Sequence, residues 1–450
     1  MVFLNNKIEK FNIIYSQKSC DKVFILSKNG NGLILEKVLY DDLIEDKCCE
    51  ELKYKLLLNS FYKTDRFEIR SLKPKISFFM IDFSTCCNLG CYYCLRDFIS
   101  RGSVIKENEL FAILDYIKNY VKSNGNRPIT IQPWGGEPLL AYKEILKMDD
   151  FFKENNIKAE IVIQTNGTLI TQEIAKELHD RKISVAVSID GNEKIHNIHR
   201  KYFDGKDSYF KVIEGIKNLQ KYNGYNVQTI SVVTKMSLDY LEDSIISFAK
   251  DLKIKKIKLN FVHPNSDVFP MESVVTEKDI PMFYERLINI LLKLYKEGYT
   301  ITDMNIYDRI INLFKGWNSE LCQSNGCLGG YKFITFSRDG NIYPCELVGN
   351  EIVKIGNIQD GDLTDILEKS IQSNPFFLKK NNFKCDKCPW YVYCRGGCTA
   401  SIISYKKSFT EIDETQCSIN EYLYPKLIEY ALTNKKVIEI LSLGEIKIED

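Results

Sequence analysis

Between residues 76 and 264, apolar and β-branched runs alternate with stretches whose apolar positions recur every three to four residues. The runs are ISFFMIDF (76–83), PITIQPW (128–134), AEIVIQT (159–165), SVAVSI (184–189), VQTISVV (227–233) and KIKLNFV (256–262). Runs this continuous predict strands buried on both faces. Between them, Leu110, Ile113, Leu114, Ile117 and Val121 keep helical spacing, as do Tyr209, Val212, Ile213, Ile216 and Leu219, so each set predicts a helix with one face in a core. Six β–α repeats with short connections predict an α/β fold whose parallel sheet is wound in one sense, open or curled into a partial (β/α)6 barrel. In such sheets ligands bind beyond the C-terminal ends of the strands.

The unusual sequences fall at those ends. STCCNLGCYYC follows the first strand, GGEP the second, NGT the third and DG the fourth. Four consecutive junctions carrying Cys, Gly or acidic residues indicate one shared site.

The flanks read differently. Residues 1–75 form a separate small α+β piece: FNIIY and KVFILS look like strands, NGNG (29–32) is a hairpin turn, and CCEELKYKLLLNSFYK looks helical. After a central unit at 76–310, residues 311–425 hold cysteines among short strands and turns, and the tail at 426–450 continues a helix expected to be interrupted near Pro425.

Composition narrows the function classes. The 450 residues carry a formal net charge of +1, which gives no global attraction to nucleic acid or to an anionic membrane. Lys7, Glu9 and Lys10 interrupt the N-terminus too early for a secretory segment, and no apolar run reaches membrane-spanning length. A cytoplasmic location is expected. Fifteen cysteines in such a chain argue for metal ligation, because reducing cytosol disfavours a disulfide framework.

Cys87, Cys91 and Cys94 have C-x3-C-x2-C spacing, so one tight loop can present three thiols to one small object. A structural zinc wants four closed ligands, and adjacent Cys86 is poorly placed to be the fourth. A [4Fe–4S] cluster held by three thiolates, with one iron open, fits better. CNLGCYYC resembles the signature loop of the radical S-adenosylmethionine (radical SAM) enzymes, and WGGEPLL, QTNGTLIT and SIDG extend the resemblance over roughly 78–265. It implies that the open iron chelates S-adenosylmethionine, whose one-electron cleavage yields a 5′-deoxyadenosyl radical that abstracts hydrogen from the substrate. It further implies cofactor-binding roles. Gly135 and Gly136 would let backbone approach the methionine moiety, and Glu137 would meet its ammonium or brace the loop. Thr165 and Asn166 would reach polar atoms, Ser188 and Asp190 the ribose, and Arg200 the carboxylate. Tyr93 would pack on adenine. His196 and His199 are expected at the surface, and GKDS (205–208) departs from the family pattern.

The second group is Cys322, Cys327, Cys345, Cys385, Cys388, Cys394, Cys398 and Cys417, with the run CDKCPWYVYCRGGC. It resembles the SPASM extension of radical SAM enzymes. The resemblance implies two auxiliary [4Fe–4S] clusters, on Cys322, Cys327, Cys345 and Cys398 and on Cys385, Cys388, Cys394 and Cys417. That makes three clusters in all. A zinc ribbon is the competing reading of this region alone.

SPASM enzymes mostly modify ribosomally made peptides, and the N-terminal piece resembles the winged-helix-like domain that grips a precursor's leader by strand addition. The expected function is a peptide maturase that installs a crosslink, a Cys thioether, with ferredoxin or flavodoxin as electron donor. The alternative is an anaerobic sulfatase-maturating enzyme, whose relatives carry Asp where YPCEL has Glu346, the candidate catalytic base. An alternative of another class is a non-catalytic, metal-stabilised peptide-binding protein.

Overall fold

The computed structural model describes residues 13–59, 61, 73–94, 102–222, 227–262, 271–316, 326–349, 351–378 and 383–448. Among them, no helix is long and apolar enough to cross a membrane.

The N-terminal piece is a three-stranded antiparallel sheet, β1 (Ile13–Lys18), β2 (Lys22–Ser27) and β3 (Gly32–Glu36), followed by helices Lys37–Ile44 and Glu50–Leu58. β2 lies between the other two strands and is apolar on both faces. Val23 and Ile25 join Tyr40, Leu43, Leu52 and Leu56 beneath the two helices, whereas Phe24 and Leu26 turn into the main core of the protein. Gly30, at φ +82°, closes the turn, and its carbonyl accepts the Tyr393 hydroxyl at 2.5 Å. The piece is therefore docked on the C-terminal region.

The central unit follows the expected register closely. Its strands are β4 (Phe78–Ser84), β6 (Ile129–Gly135), β7 (Ala159–Thr165), β8 (Ser184–Ser188), β10 (Gln228–Val233) and β11 (Lys256–Phe261), all parallel and neighbouring in sequence order. Phe79, Ile81 and Phe83 of β4 alternate toward the helical layer, where Ile113, Leu114 and Ile117 of helix Glu107–Ser123 are buried. Thr130, Gln132, Val162, Gln164, Ala186, Ile230 and Lys258 face the other way and line a cavity of about 1000 Å³. Residues from β4 through β11 share that lining. Two short strands, β5 (Leu89–Cys91) and β9 (Arg200–Tyr202), pair with each other outside the main sheet.

Both edges of the parallel array are extended. β12 (Thr302–Asp303) adds in parallel to β11, and β13 (Phe333–Phe336) adds in parallel to β4. β13 continues antiparallel through β14 (Asn341–Tyr343) to β15 (Gly356–Asn357). The C-terminal cysteine region is thereby part of the same sheet.

The tail departs from expectation. Helix Glu414–Thr433 runs through Pro425, and the break comes at Asn434 before helix Lys435–Leu441. A proline inside a helix costs about 3 kcal/mol. Burial of Leu423, Tyr424, Leu427 and Ile428 against the core offsets it.

Candidate active site

The site begins where β4 ends. Ser84 Oγ accepts from Cys86 N at 3.0 Å and donates to the Cys86 carbonyl at 3.1 Å, turning the chain into the cysteine loop. The end of β6 crosses directly beneath it. Gly136 N donates to the Ser84 carbonyl at 2.7 Å and Glu137 N to the Cys86 carbonyl at 2.9 Å. A Cβ on Gly136 would lie 1.9 Å from the Cys86 oxygen, and one on Gly135, at φ +129°, would lie 2.2 Å from the Ser84 oxygen. The two glycines are expected to admit a methionine moiety, and their missing side chains also let the end of β6 approach the cysteine loop closely.

Glu137 is buried and serves as a brace. Its Oε1 accepts from Thr165 Oγ1 at 2.6 Å and Leu139 N at 3.0 Å, and its Oε2 accepts from Asn166 N at 2.8 Å. Burial raises its pKa, while these donors oppose the rise. Asn166 Nδ2 donates to Asn88 Oδ1 at 2.8 Å and lies 4.0 Å from Cys87 Sγ; Asn88 Nδ2 in turn donates to Thr168 Oγ1 at 2.8 Å. The loops after β4, β6 and β7 are thus bonded into one unit. Sequence reasoning missed Asn88 and Thr168, although both lie inside quoted motifs and are short polar residues at strand ends.

A second network surrounds Asp190, just beyond β8. Asp190 Oδ1 accepts from Val232 N at 2.9 Å. Its Oδ2 accepts the Tyr93 hydroxyl at 2.5 Å, pairs with Arg200 Nε at 3.0 Å and faces His199 Nδ1 at 3.4 Å. Burial would raise the Asp190 pKa, but the Arg200 guanidinium and His199 hold it well below the usual carboxylate range. The Arg200 charge is correspondingly locked on: burial disfavours it, and Asp190 more than compensates.

His196 and His199 were expected at the surface, yet they are 0% and 1% exposed. His196 Nδ1 accepts from Asp190 N at 3.3 Å, and its Nε2 meets Ser208 Oγ at 3.0 Å. Burial pushes its pKa down to about 3. Ser208, in the GKDS stretch, donates to the Arg200 carbonyl, so this departure from the family pattern supports the same network. With a partner at each ring nitrogen, His196 is stable inside a core, and His199 is held through Nε2 by Thr234 Oγ1 at 3.0 Å and faces the Asp190 carboxylate. Single-residue reading of two histidines could not reveal those partners.

Tyr93 is only 8% exposed, with the Arg200 guanidinium 5.3 Å from its ring centre and His199 at its edge. Its neighbour Tyr92 is the exposed ring. Ser188 is half-buried at the end of β8, opposite Ile230 of β10.

The three loop thiols stand in each other's electrostatic field. Burial pushes Cys87 up to about 11, with contributions from Glu137 and Cys94, and pushes Cys91 up to about 12 against the lowering effect of Arg200. Free thiols would stay neutral here, so stable thiolates require a bound cation. Among the described residues, no group of three or more Cys, His, Asp or Glu side chains closes on a point as a single-ion site would.

The C-terminal cysteines gather in two places. Cys385, Cys388, Cys394 and Cys417 perturb one another, and burial raises Cys388 to about 11. Cys327, Cys345 and Cys398 share a separate apolar cluster with Met80 of β4. Cys322 lies outside the described residues. Glu346 sits beside Cys345, whose Sγ is 3.3 Å from Glu346 Oε2. Both line a cavity of about 670 Å³ that also contains Asp82 from the end of β4.

Comparison with known families shows which cofactors belong to such a chain. Residues 81–247 match the model of the Radical SAM superfamily, and residues 327–389 match that of SPASM, an iron-sulfur cluster-binding domain. The chain is a radical SAM enzyme with a SPASM domain. It is 27% identical to the cysteine-type anaerobic sulfatase-maturating enzyme of Clostridium perfringens, over 80% of this chain and 99% of the relative. The structure of native anSMEcpe with bound AdoMet and the Cp18Cys peptide superimposes with a TM-score of 0.67 at 25% identity, covering 79% of this chain and 98% of that one. Streptococcus suis SuiB bound to its precursor peptide SuiA shares the fold at TM-score 0.57 and 17% identity, covering 90% of this chain and 100% of SuiB. The cofactors of this radical SAM enzyme are therefore S-adenosylmethionine and iron–sulfur clusters. The donor set fits: three thiols share one loop, two of them, Cys87 and Cys91, are raised by burial and need a cation to ionise, and Asn166 of the Glu137–Thr165 brace lies beside Cys87.

Proposed function

We propose that this radical SAM enzyme abstracts hydrogen from a ribosomally made precursor peptide and installs a crosslink, a thioether from a cysteine sulfur. The observation that carries the reading is the cavity of about 670 Å³ in which Glu346 and Cys345 of the SPASM domain meet Asp82 of β4. It joins the radical core to the auxiliary region and has room for a peptide side chain.

In this reading Cys87, Cys91 and Cys94 ligate the cluster that binds S-adenosylmethionine, at the mouth of a partial barrel. That cluster and its ligand supply the radical chemistry when bound. The loop brace of Glu137, Thr165 and Asn166 keeps the three thiols in register, and Arg200, Ser188, Asp190 and Tyr93 border the space for the nucleoside. Cys327, Cys345 and Cys398 with Cys322, and Cys385, Cys388, Cys394 and Cys417, hold two auxiliary [4Fe–4S] clusters. Glu346 takes the proton released as the substrate is oxidised, and a small protein such as ferredoxin or flavodoxin delivers the electrons. The leader segment adds to the edge of the β1–β3 sheet in a winged-helix-like domain. The outer strands of that three-stranded antiparallel sheet, β1 and β3, support the assignment, since each offers an edge for strand addition.

A second reading, formylglycine formation on a sulfatase, is favoured by the similarity to the Clostridium perfringens enzyme over nearly all of that relative. Mass spectrometry of the co-expressed peptide separates the two. A crosslink removes two hydrogens per bond; conversion of cysteine to formylglycine loses hydrogen sulfide and gains oxygen. An unmodified precursor, with a sulfatase peptide modified instead, would overturn the first reading.

A further inference from the structure

β5 and β9 place Cys91 directly opposite Arg200 in an antiparallel pair. The pairing brings the guanidinium onto the thiol, with Arg200 Nη1 3.9 Å from Cys91 Sγ. The same guanidinium uses Nε to meet Asp190 Oδ2 at 3.0 Å, and its central carbon lies 5.3 Å from the Tyr93 ring centre. Asp190 is held in turn by the Tyr93 hydroxyl and Val232 N, and the Arg200 carbonyl is held by Ser208. Arg200 is 7% exposed and Asp190 3%.

We propose that Arg200 is a positioning residue that tunes the reduction potential of the cluster ligated by Cys91, and that Asp190 sets how much of its charge the cluster feels. This rests on the ligation proposed above. A cluster's potential depends on net charge, on hydrogen bonds to its sulfurs and on solvent exposure. A fixed cation donating an N–H to a ligand sulfur stabilises the reduced state, which carries one more negative charge. The half-buried site weakens solvent screening of that effect. Asp190 acts oppositely: it anchors the guanidinium and partly cancels it. A guanidinium used only for the methionine carboxylate would need neither the Cys91 contact nor the buried counter-charge. With Nε on Asp190 and Nη1 on Cys91, Nη2 is the nitrogen left for that carboxylate, so the two roles are compatible but separable.

The test is a redox titration of the full-length, anaerobically reconstituted protein without S-adenosylmethionine, followed by electron paramagnetic resonance. The relevant signal is the one missing from the Cys87/Cys91/Cys94→Ala variant. Arg200→Gln is expected to shift its one-electron equilibrium toward the oxidised form by at least tenfold, 59 mV more negative. Arg200→Lys, which keeps the charge but not the fork, should recover part of the shift. Asp190→Asn should move the potential the other way. If Asp190→Asn does not fold, Tyr93→Phe removes a donor that offsets the Asp190 charge and should give a small shift to more negative potential. An unchanged potential in Arg200→Gln, with only the spectral response to S-adenosylmethionine lost, would overturn the proposal and leave Arg200 as a carboxylate ligand. Absence of the signal from the unmutated protein would instead defeat the ligation itself.

Discussion

Glu137 accepts the Thr165 hydroxyl at 2.6 Å from inside a fully formed core, joining the loops after β6 and β7 through one carboxylate. Its other oxygen is occupied by the Asn166 amide. Replacing Glu137 with Gln turns one acceptor into a donor that faces a backbone N–H. The expected cost is about 1–3 kcal/mol, the penalty of an unsatisfied buried donor. Chemical denaturation of the reconstituted protein measures it; a variant as stable as the parent would show that the brace contributes nothing.

Gly136 cannot accept a side chain without moving the Cys86 carbonyl, since a Cβ would lie 1.9 Å from it. Gly136→Ala is expected to lose the iron of the loop cluster while keeping that of the SPASM domain. Gly349→Ala, where an added Cβ meets nothing within 4 Å, should keep both. Iron and sulfide assays on the purified variants read this directly.

The three cysteine sets predict about twelve iron and twelve sulfide per chain, from three four-iron clusters. Cys87/Cys91/Cys94→Ala should remove about a third of each and abolish 5′-deoxyadenosine formation under dithionite. Continued formation in that variant would show that the loop does not hold the working cluster. Zinc without sulfide in the unmutated protein would favour a metal-stabilised scaffold.

Glu346 borders the cavity beside Cys345, and the proposed function makes it the base. Glu346→Gln is expected to lower peptide modification by roughly 10²–10⁴, the usual contribution of a general base. Cleavage of S-adenosylmethionine without peptide should persist, because, among the described residues, the cavity that Glu346 lines includes no residue of the Cys87 loop. Liquid chromatography of 5′-deoxyadenosine and peptide from one reaction gives both numbers; full peptide turnover would rule the base out.

Much of the site could be read in advance because its parts are local. A strand such as AEIVIQT announces itself by apolar density, and β7 spans those same residues, 159–165. The motifs sit at consecutive strand ends, so a parallel sheet in sequence order necessarily brings them to one rim. The buried histidines were not readable. His196 and His199 carry no local sign of burial, and their partners Ser208 and Thr234 lie 12 and 35 residues away. The glycines were readable as a need for space, but the close approach of the cysteine loop was not.

From sequence alone came the six core strands, the cysteine groupings and the strand ends that carry chemistry, since each depends on periodicity or spacing within a short window. Tertiary structure alone decided that Phe333–Phe336 would pair with β4 and draw the C-terminal cysteines toward the radical core. It alone set Arg200 against Cys91 and closed Asp190 around Arg200, Tyr93 and His199. Those pairings join segments up to hundreds of residues apart. They are chosen by which edges and charges remain unsatisfied once the local elements have formed, and no short window of sequence records that competition.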